Sequence, residues 1–333
     1  MSAADPARTH LAVELDHQAP LIACRFDPTG RFVFGASQDQ TIGRWELATK
    51  QAAKFSGHDG WVLSLGFSPD GATLLSGGSD DALVWWPAAA SETPAPIRRR
   101  ETGHGWVRSI AVSPDGSTIA TCGNDRKVRL WSMEDGSRVM ELPGHERPVY
   151  RVAFTPDGKG LLSADLQGVV IQWDIRPGKE ARRFDASKLY QYNGGQQVDY
   201  GGVRDMALSR DGRYLACSGL IEASNPLGAV SNPAVVLLDW QAGKEVLLQR
   251  PKEDIKGVAW GVRFHPEGFL VAVSGGTSGG FLLFWKPEEI HEFHKLGLPN
   301  TGRDLDLHPD GLRLAVAHHD GKLRLYAMQP QAG

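Results

Sequence analysis

The chain has few cysteines and no excess of charge of one sign. Its 333 residues include only three cysteines, Cys24, Cys122 and Cys217, each within an apolar, strand-like pattern. The odd number and wide spacing favour buried, reduced thiols and a cytoplasmic setting over a disulfide framework. The net charge is −3, with both signs mixed along the chain. We therefore expect no nucleic acid and no anionic membrane surface among its partners.

Long apolar runs are also missing. No segment approaches 18 consecutive apolar residues, so no membrane span is predicted. The first ten residues, MSAADPARTH, have neither a basic start nor an apolar core, so no secretory signal is expected. The positive run Arg98–Arg100 follows a Pro-rich stretch and is read as an exposed strand edge rather than a phosphate-binding patch.

A five-residue phrase is abundant instead. Between its closing glycines the steps are 41, 45, 42, 54, 56 and 43 residues, and a period near 40–45 is typical of one four-stranded propeller blade. The seven copies are FDPTG (26–30), FSPDG (67–71), VSPDG (112–116), FTPDG (154–158), LSRDG (208–212), FHPEG (264–268) and LHPDG (307–311).

Each phrase predicts a turn between two strands. In Ser113-Pro114-Asp115-Gly116 proline presets the second turn position, aspartate suits the third, and glycine takes the left-handed conformation that follows. Apolar residues alternate on both sides, and the runs 127–131 and 137–142 supply a third and a fourth strand. Four short strands per period bury a core only when the units stack against each other.

We therefore predict an all-β fold, a seven-bladed β-propeller of four-stranded antiparallel blades in a single domain over residues 1–333. The alternating segment 9–15 precedes the first blade, whereas the last blade has only three strands of its own, so segment 9–15 is predicted to complete it. The expected blades are about 20–56, 57–102, 103–143, 144–185, 200–250, 256–297 and 302–328.

Gly-His pairs and strand-ending tryptophans occur in the same register as these turns. Gly57-His58, Gly103-His104 and Gly144-His145 each precede a turn phrase, and Trp173-Asp174 is a full Trp-Asp pair. Other tryptophans at this strand position are Trp45, Trp86, Trp131 and Trp285. In all of these features the chain resembles the WD-repeat β-propellers over essentially its whole length.

The resemblance implies a role for the histidines and aspartates. In WD-repeat blades a His, a Ser or Thr, an Asp and the Trp form a buried hydrogen-bonded network, which favours a structural role over catalytic dyads. In the fourth blade Gln167 stands where Asp is expected, Leu238 and Tyr326 replace Trp in later blades, and His17 could serve the first blade together with Asp39. The expected network residues are His58, Ser76, Asp80 and Trp86; His104, Thr121, Asp125 and Trp131; and His145, Ser163 and Trp173.

Other polar clusters favour no chemistry. Residues 291–294 (HEFH) are interpreted as the outer strand of the sixth blade, and Gly275–Gly280 as a loop within that blade. His318-His319-Asp320 resembles a metal cluster, but Asp320 falls in the turn position. We expect no catalytic residues, no metal and no cofactor.

Two insertions and several aromatics indicate a partner surface. Segments 185–202 and 219–233 account for the two long steps and are interpreted as long loops on one face. The alternative, that the aromatics pack under neighbouring loops, is left open. The candidate partner-binding residues are Trp61, Trp106, Tyr150, Tyr190, Tyr192 and Tyr200.

The sequence thus favours a non-catalytic scaffold or adaptor, a monomeric propeller that binds a protein or peptide partner through its loop faces. Two alternatives stay open. One is a propeller enzyme with its site at a channel mouth, and the other is a sensor module acting with a separate catalytic partner.

Overall fold

The computed structural model describes residues 3–90, 93–225 and 230–330. It divides into two compact units. The first comprises Met1–Asp16, Leu166–Val169 and Phe184–Gly333, and the second comprises His17–Asp165 and Val170–Arg183. Seven four-stranded antiparallel sheets, numbered 1 to 7 in chain order, make up almost all of the described structure. They are the blades of a seven-bladed β-propeller, which confirms the predicted fold class.

Strand β1 (His10–Asp16) precedes sheets 1 to 4, whose strands follow one another in chain order. Sheet 1 has β2 (Leu21–Phe26), β3 (Phe32–Ser37), β4 (Thr41–Glu46) and β5 (Ala52–Ser56). Sheet 2 has β6 (Val62–Phe67), β7 (Thr73–Gly78), β8 (Ala82–Pro87) and β9 (Arg98–Glu101). Sheet 3 has β10 (Val107–Val112), β11 (Thr118–Gly123), β12 (Lys127–Ser132) and β13 (Arg138–Pro143). Sheet 4 has β14 (Val149–Phe154), β15 (Gly160–Asp165), β16 (Val169–Asp174) and β17 (Lys179–Asp185).

A separate hairpin, β18 (Tyr190–Asn193) and β19 (Val198–Gly201), leads into sheets 5 to 7. Sheet 5 has β20 (Asp205–Leu208), β21 (Tyr214–Asn225), β22 (Val230–Asp239) and β23 (Lys244–Gln249). Sheet 6 has β24 (Val258–Phe264), β25 (Leu270–Gly276), β26 (Gly279–Trp285) and β27 (His294–Leu298). Sheet 7 has β28 (Gly302–Leu307), β29 (Arg313–His318) and β30 (Lys322–Ala327). The only helices in the described residues are two 3-10 turns, Pro6–Arg8 and Ser187–Leu189.

The fourth strand of sheet 7 is β1, as the sequence predicts. It pairs antiparallel with β30 from His10 opposite Ala327 to Asp16 opposite Lys322. Glu14 accepts hydrogen bonds from Lys322 and from Arg324, and the Arg324 Nε to Glu14 Oε2 distance is 2.8 Å. The pairing therefore joins residues more than 300 positions apart through both backbone and charge.

The turn phrases have the expected geometry. Gly116 has a φ of 74°, a conformation in which a side chain would be strained. Its N–H donates to the Ser113 carbonyl at 2.8 Å, and the Ser113 hydroxyl accepts from the Thr118 N–H at 2.9 Å. Buried side chains of neighbouring sheets pack together, as Phe34 of sheet 1 and Trp86 of sheet 2 do in one core cluster and Leu237 of sheet 5 and Trp285 of sheet 6 in another.

The first strand of most sheets carries a bulge at the same place. Its extra residue is Leu63 in sheet 2, Arg108 in sheet 3 and Tyr150 in sheet 4. In sheets 6 and 7 it is Trp260 and Arg303. A bulge inserts one extra residue, whose side chain departs from the regular alternation of the strand. Each of these sheets therefore has one re-aimed side chain in its first strand.

Three predicted loops are wrong in detail. Gly275 and Gly280 pair with each other within β25 and β26, so the turn is only Thr277 and Ser278. The close pairing depends on glycine, because a Cβ at Gly280 would lie 2.3 Å from the Asn300 carbonyl oxygen. Segment 219–233 extends the β21–β22 hairpin; its residues 226–229 lie outside the described residues. Segment 185–202 contains the β18–β19 hairpin.

The HEFH segment also differs from the interpretation as strand. Only His294 belongs to β27, and residues 291–293 precede it. The reason is local packing: the Phe293 N–H bonds to the Phe284 carbonyl, and the Phe293 ring meets Phe269 edge-on at 6.2 Å.

Candidate functional site

Sheets 2 and 3 each connect a His, a Ser or Thr, an Asp and a Trp side chain through hydrogen bonds. His58 Nδ1 lies 3.0 Å from the Asp80 carboxylate, and its Nε2 lies 2.7 Å from the Ser76 hydroxyl. Trp86 Nε1 donates to the same hydroxyl at 2.8 Å. In sheet 3 the corresponding distances are 2.6 Å for His104 to Asp125, 2.9 Å for His104 to Thr121, and 2.8 Å for Trp131 to Thr121.

The donors and acceptors in sheet 2 determine where the protons lie. The Asp80 carboxylate only accepts, so His58 donates to it from Nδ1. Indole nitrogen only donates, so the Ser76 oxygen accepts from Trp86 Nε1, and the Ser76 hydroxyl also pairs with His58 Nε2. Every polar atom of the chain of bonds is satisfied inside the sheet, and none is left to activate an external group.

The carboxylate of Asp80 is held in its charged form. Burial opposes ionisation, but the hydrogen bond from His58, the Asp59 N–H and the charge of Arg99 together lower the pKa of Asp80 far below its usual value. Arg99 Nη2 is 3.1 Å from Asp80 Oδ2. Strand β9, which contains the run Arg98–Arg100, is therefore more than an exposed edge: its Arg99 forms an ion pair with the buried carboxylate of Asp80.

Sheet 4 contains a carboxylate that the sequence reading missed. His145 Nδ1 lies 2.7 Å from Asp165 Oδ2, and Ser163 bonds both His145, at 2.6 Å, and Trp173, at 2.8 Å. Asp165, at the end of β15, replaces the turn carboxylate that Gln167 cannot provide. The sequence did differ here: sheet 4 has Asp165 at the position where sheet 2 has Gly78. A side chain at this position lies beside the histidine, since a Cβ at Gly78 would lie 2.7 Å from His58 Nδ1.

A second missed residue is Asp81, beside the network residue Asp80. Its carboxylate accepts bonds from the Thr102 hydroxyl at 2.6 Å and from the backbone N–H groups of Gly103, His104 and Gly105 at 2.8–3.1 Å. Asp81 thereby holds the loop that brings His104 into sheet 3. The doubled aspartate was the available signal.

Sheets 1 and 7 use variants of the same arrangement. In sheet 1, His17 Nε2 lies 3.2 Å from Asp39, as the sequence suggests, and Asp39 also accepts from Thr41 at 2.6 Å. In sheet 7, Arg324 forms a two-point ion pair with Asp320, at 2.7 Å and 3.0 Å. Asp320 is therefore structural, and it does not join His318 and His319 in a metal site.

Two of the predicted partner-binding residues are exposed tryptophans in the second unit. Trp61 and Trp106 precede β6 and β10, and their exposed fractions are 45% and 38%. The half-buried Tyr150 sits at the first-strand bulge of sheet 4. The guanidinium of Arg108 lies over both the Trp106 ring, at 5.1 Å, and the Tyr150 ring, at 4.4 Å. We call Trp106, Arg108 and Tyr150, which meet at the Arg108 guanidinium, the aromatic surface; Trp61 is a separate exposed aromatic side chain.

The three tyrosines of the β18–β19 hairpin, in the first unit, have unequal surroundings. Tyr192 is 55% exposed. The Tyr190 hydroxyl donates to Asp199 at 2.6 Å, and the ring of Tyr200 is buried with Leu220, Ala223 and Val258. The hairpin thus presents Tyr192 outward and uses Tyr200 to pack onto sheets 5 and 6.

The described residues contain no group of three or more His, Cys, Asp or Glu side chains placed to hold a metal ion. They also contain no helix with the length and apolar character needed to cross a membrane. The three cysteines are free and buried, and burial raises the pKa of the Cys122 and Cys217 thiols.

Comparison with known proteins identifies repeats in the first half of the chain. The family described as "WD domain, G-beta repeat" matches residues 9–46, 49–86, 96–132 and 136–174. The matched segments contain the networks of sheets 1 to 4.

Relatives named as parts of assemblies share this similarity. Telomerase protein component 1 of Rattus norvegicus is 27% identical over 299 residues, covering 78% of this chain and 11% of that protein. Transcription initiation factor TFIID subunit 5 of Caenorhabditis elegans is 25% identical over 159 residues, covering 48% of this chain and 24% of the relative. COMPASS component SWD3 of Saccharomyces cerevisiae is 26% identical over 176 residues, covering 53% of this chain and 44% of the relative.

The chain spans less than half the length of each of these relatives. The matched repeats, the seven four-stranded sheets and the His–Ser/Thr–Trp networks agree with one another. Residues 9–174 thus contain four repeats of the WD domain, G-beta repeat family, and the chain as a whole is similar to the WD-repeat β-propellers.

Proposed function

We propose that this protein is a non-catalytic scaffold or adaptor that binds protein or peptide partners through loop surfaces of its sheets. In this proposal it is a single-domain, monomeric propeller in the cytoplasm, without cofactor or metal. The names of the three relatives support the general role, since each is called a subunit or a component.

The exposure of Trp61 and Trp106 is the observation that carries the proposal. Large aromatic side chains are normally well buried, and exposed ones concentrate in binding surfaces. The histidines and aspartates that could suggest catalysis are instead consumed in internal hydrogen bonds, as in His145 and Asp165. Trp61 and Trp106, by contrast, are open to a partner.

Arg108 makes the aromatic surface rigid. Its Nε donates to the Asn124 side-chain oxygen at 2.6 Å while its guanidinium lies over Trp106 and Tyr150. A fixed aromatic side chain loses little conformational entropy on binding, which favours its use as an anchor. Tyr192 on the β18–β19 hairpin offers a second, independent contact in the other unit.

The test is partner capture with the full chain carrying a photo-crosslinker. Trp61→Ala, Trp106→Ala and the double change Tyr190→Ala/Tyr192→Ala are compared with Val139→Ala, which shortens another exposed apolar side chain, on the outer strand β13. We expect Trp106→Ala to lose the partners that wild type and Val139→Ala capture, since one anchor contributes roughly 2 kcal/mol or more. Identical captured sets for wild type, both tryptophan variants and the tyrosine variant would refute the proposed surfaces.

A further inference from the structure

Sheets 5, 6 and 7 bring two arginines and one tryptophan together. Arg204 immediately precedes β20, and Trp260 and Arg303 are the first-strand bulge residues of sheets 6 and 7. The Arg303 guanidinium lies 4.0 Å from the centre of the Trp260 ring, and the Arg204 guanidinium lies 5.4 Å from it. All three side chains are half-buried. We call them the Arg–Trp–Arg cluster.

Arg303 carries a charge that no acidic side chain balances within the described parts of the chain. It forms no ion pair there, and its contact is with the Trp260 ring. Burial and then the charge of Arg204 lower the pKa of Arg303 to about 10. Two guanidinium groups are thus held at one aromatic ring although they repel each other.

The acidic residues of the neighbouring strands are engaged elsewhere. Arg263 forms ion pairs with two of them: its Nη1 lies 2.6 Å from Asp205 Oδ2, and its Nε lies 3.2 Å from Asp306 Oδ1. Burial opposes the charge of Arg263, but the charges of these aspartates and of Asp304 outweigh it and raise the pKa of Arg263. Asp205 and Asp306 therefore compensate a different arginine, Arg263.

The Trp260 ring is fixed in place. Its Nε1 donates to the Gly275 carbonyl at 3.3 Å, and the ring packs against the cluster that contains Tyr200, Leu220 and Val258. The β18–β19 hairpin, which contributes Tyr200 to this cluster, thus supports the ring on which Arg303 lies. The positive site is held in place before any ligand arrives.

We propose that the Arg–Trp–Arg cluster binds the oxyanion of an acidic side chain, a carboxylate or a phosphate monoester, on a peptide partner. Guanidinium groups pair with such oxyanions through two parallel hydrogen bonds, and half-burial strengthens the pairing. Binding would also relieve the repulsion between Arg204 and Arg303. The inference names the partner chemistry for one surface of the proposed scaffold and rests on that function.

The test uses the full chain and three capped tripeptides: triglutamate, triglutamine, and a tripeptide with a central phosphoserine. Binding is followed by titration calorimetry and by the NMR signal of the Trp260 indole N–H, which is assigned with Trp260→Phe. Arg303→Gln is the test variant, and Lys244→Gln is the matched control because it removes the same charge from an exposed site on β23. Thermal melts confirm that each variant is folded.

We expect at least one acidic tripeptide to bind and to shift the Trp260 signal, with affinity that falls with added salt and is about tenfold weaker in Arg303→Gln. The Lys244→Gln variant should bind the acidic peptides with wild-type affinity. Triglutamine should not bind. Preference for the glutamate or the phosphoserine peptide identifies the source of the oxyanion, and either supports the site. The proposed site is refuted if neither acidic peptide binds, or if Lys244→Gln weakens peptide binding as much as Arg303→Gln does. If partner capture persists in that case, the scaffold role stands and only the anion site fails.

Discussion

His318 gives sheet 7 a pH-dependent stability that can be worked out from its surroundings. The residue is fully buried; its Nδ1 lies 3.1 Å from the Asn300 carbonyl and its Nε2 lies 3.4 Å from the Tyr326 hydroxyl. Burial, and next the charge of Arg324, lower the pKa of His318 from 6.5 to about 4, although Asp320 opposes the shift. The neutral ring is therefore the form that the fold requires.

The sign follows from proton binding in the two states. Below pH 6.5 the unfolded chain protonates His318, whereas the folded protein does so only near pH 4. The unfolded state binds more protons in this interval, so the free energy of unfolding decreases as pH falls from about 6.5 to about 4. Between pH 7.5 and pH 5 the loss from this residue is about 2 kcal/mol.

Urea unfolding at pH 7.5 and at pH 5 measures this loss. Wild type is compared with His318→Gln, which cannot titrate, and with His319→Gln, which removes the exposed neighbouring histidine. We expect wild type and His319→Gln to lose about 2 kcal/mol more than His318→Gln on acidification. Equal losses in wild type and His318→Gln would show that the buried ring does not stay neutral, and would refute the reasoning.

Three further predictions concern stability. Asp165→Ala leaves the buried His145 Nδ1 without an acceptor and should cost about 1–3 kcal/mol in urea unfolding, whereas Asp165→Asn, which restores an acceptor oxygen, should cost less; equal costs would contradict the network. Asp125→Ala should likewise lower the free energy of unfolding by about 1–3 kcal/mol while leaving partner capture unchanged in the folded protein. Deletion of residues 1–16 removes β1 from β30, so the melting temperature should fall and the freed edge should promote association; an unchanged melt with monomeric elution in size-exclusion chromatography would count against it.

Repetition made the fold predictable. The spacing of the turn phrases, together with alternating apolar residues, predicted all seven sheets because each hairpin depends on residues a few positions apart. The pairing of β1 with β30 was also predictable, since the last three strands lacked a fourth and segment 9–15 had the right alternation. Networks in sheets 2 and 3 followed from the family resemblance, residue by residue.

Features that depend on exact register were not predictable. Asp165 reaches His145 from the end of a strand instead of from the turn, so the position of Gln167 gave the wrong expectation. The extended hairpin of sheet 5 and the turn at Thr277-Ser278 contain glycine and polar residues that suggest loops, although their backbones pair in antiparallel register. The Arg–Trp–Arg cluster depends on the bulges at Trp260 and Arg303, and a bulge has no characteristic residue type by which the sequence would reveal it.

The pairing of β1 with β30 has a consequence for synthesis of the chain on the ribosome. His10 is translated more than 300 residues before its partner Ala327. At about 5–20 residues per second, β1 waits roughly 15 to 60 seconds for that strand to emerge. During this time its strand edge is open to chaperones and to other nascent chains. The polar side chains of Glu14 and Asp16 lie on this waiting segment, where charge discourages premature edge-to-edge pairing.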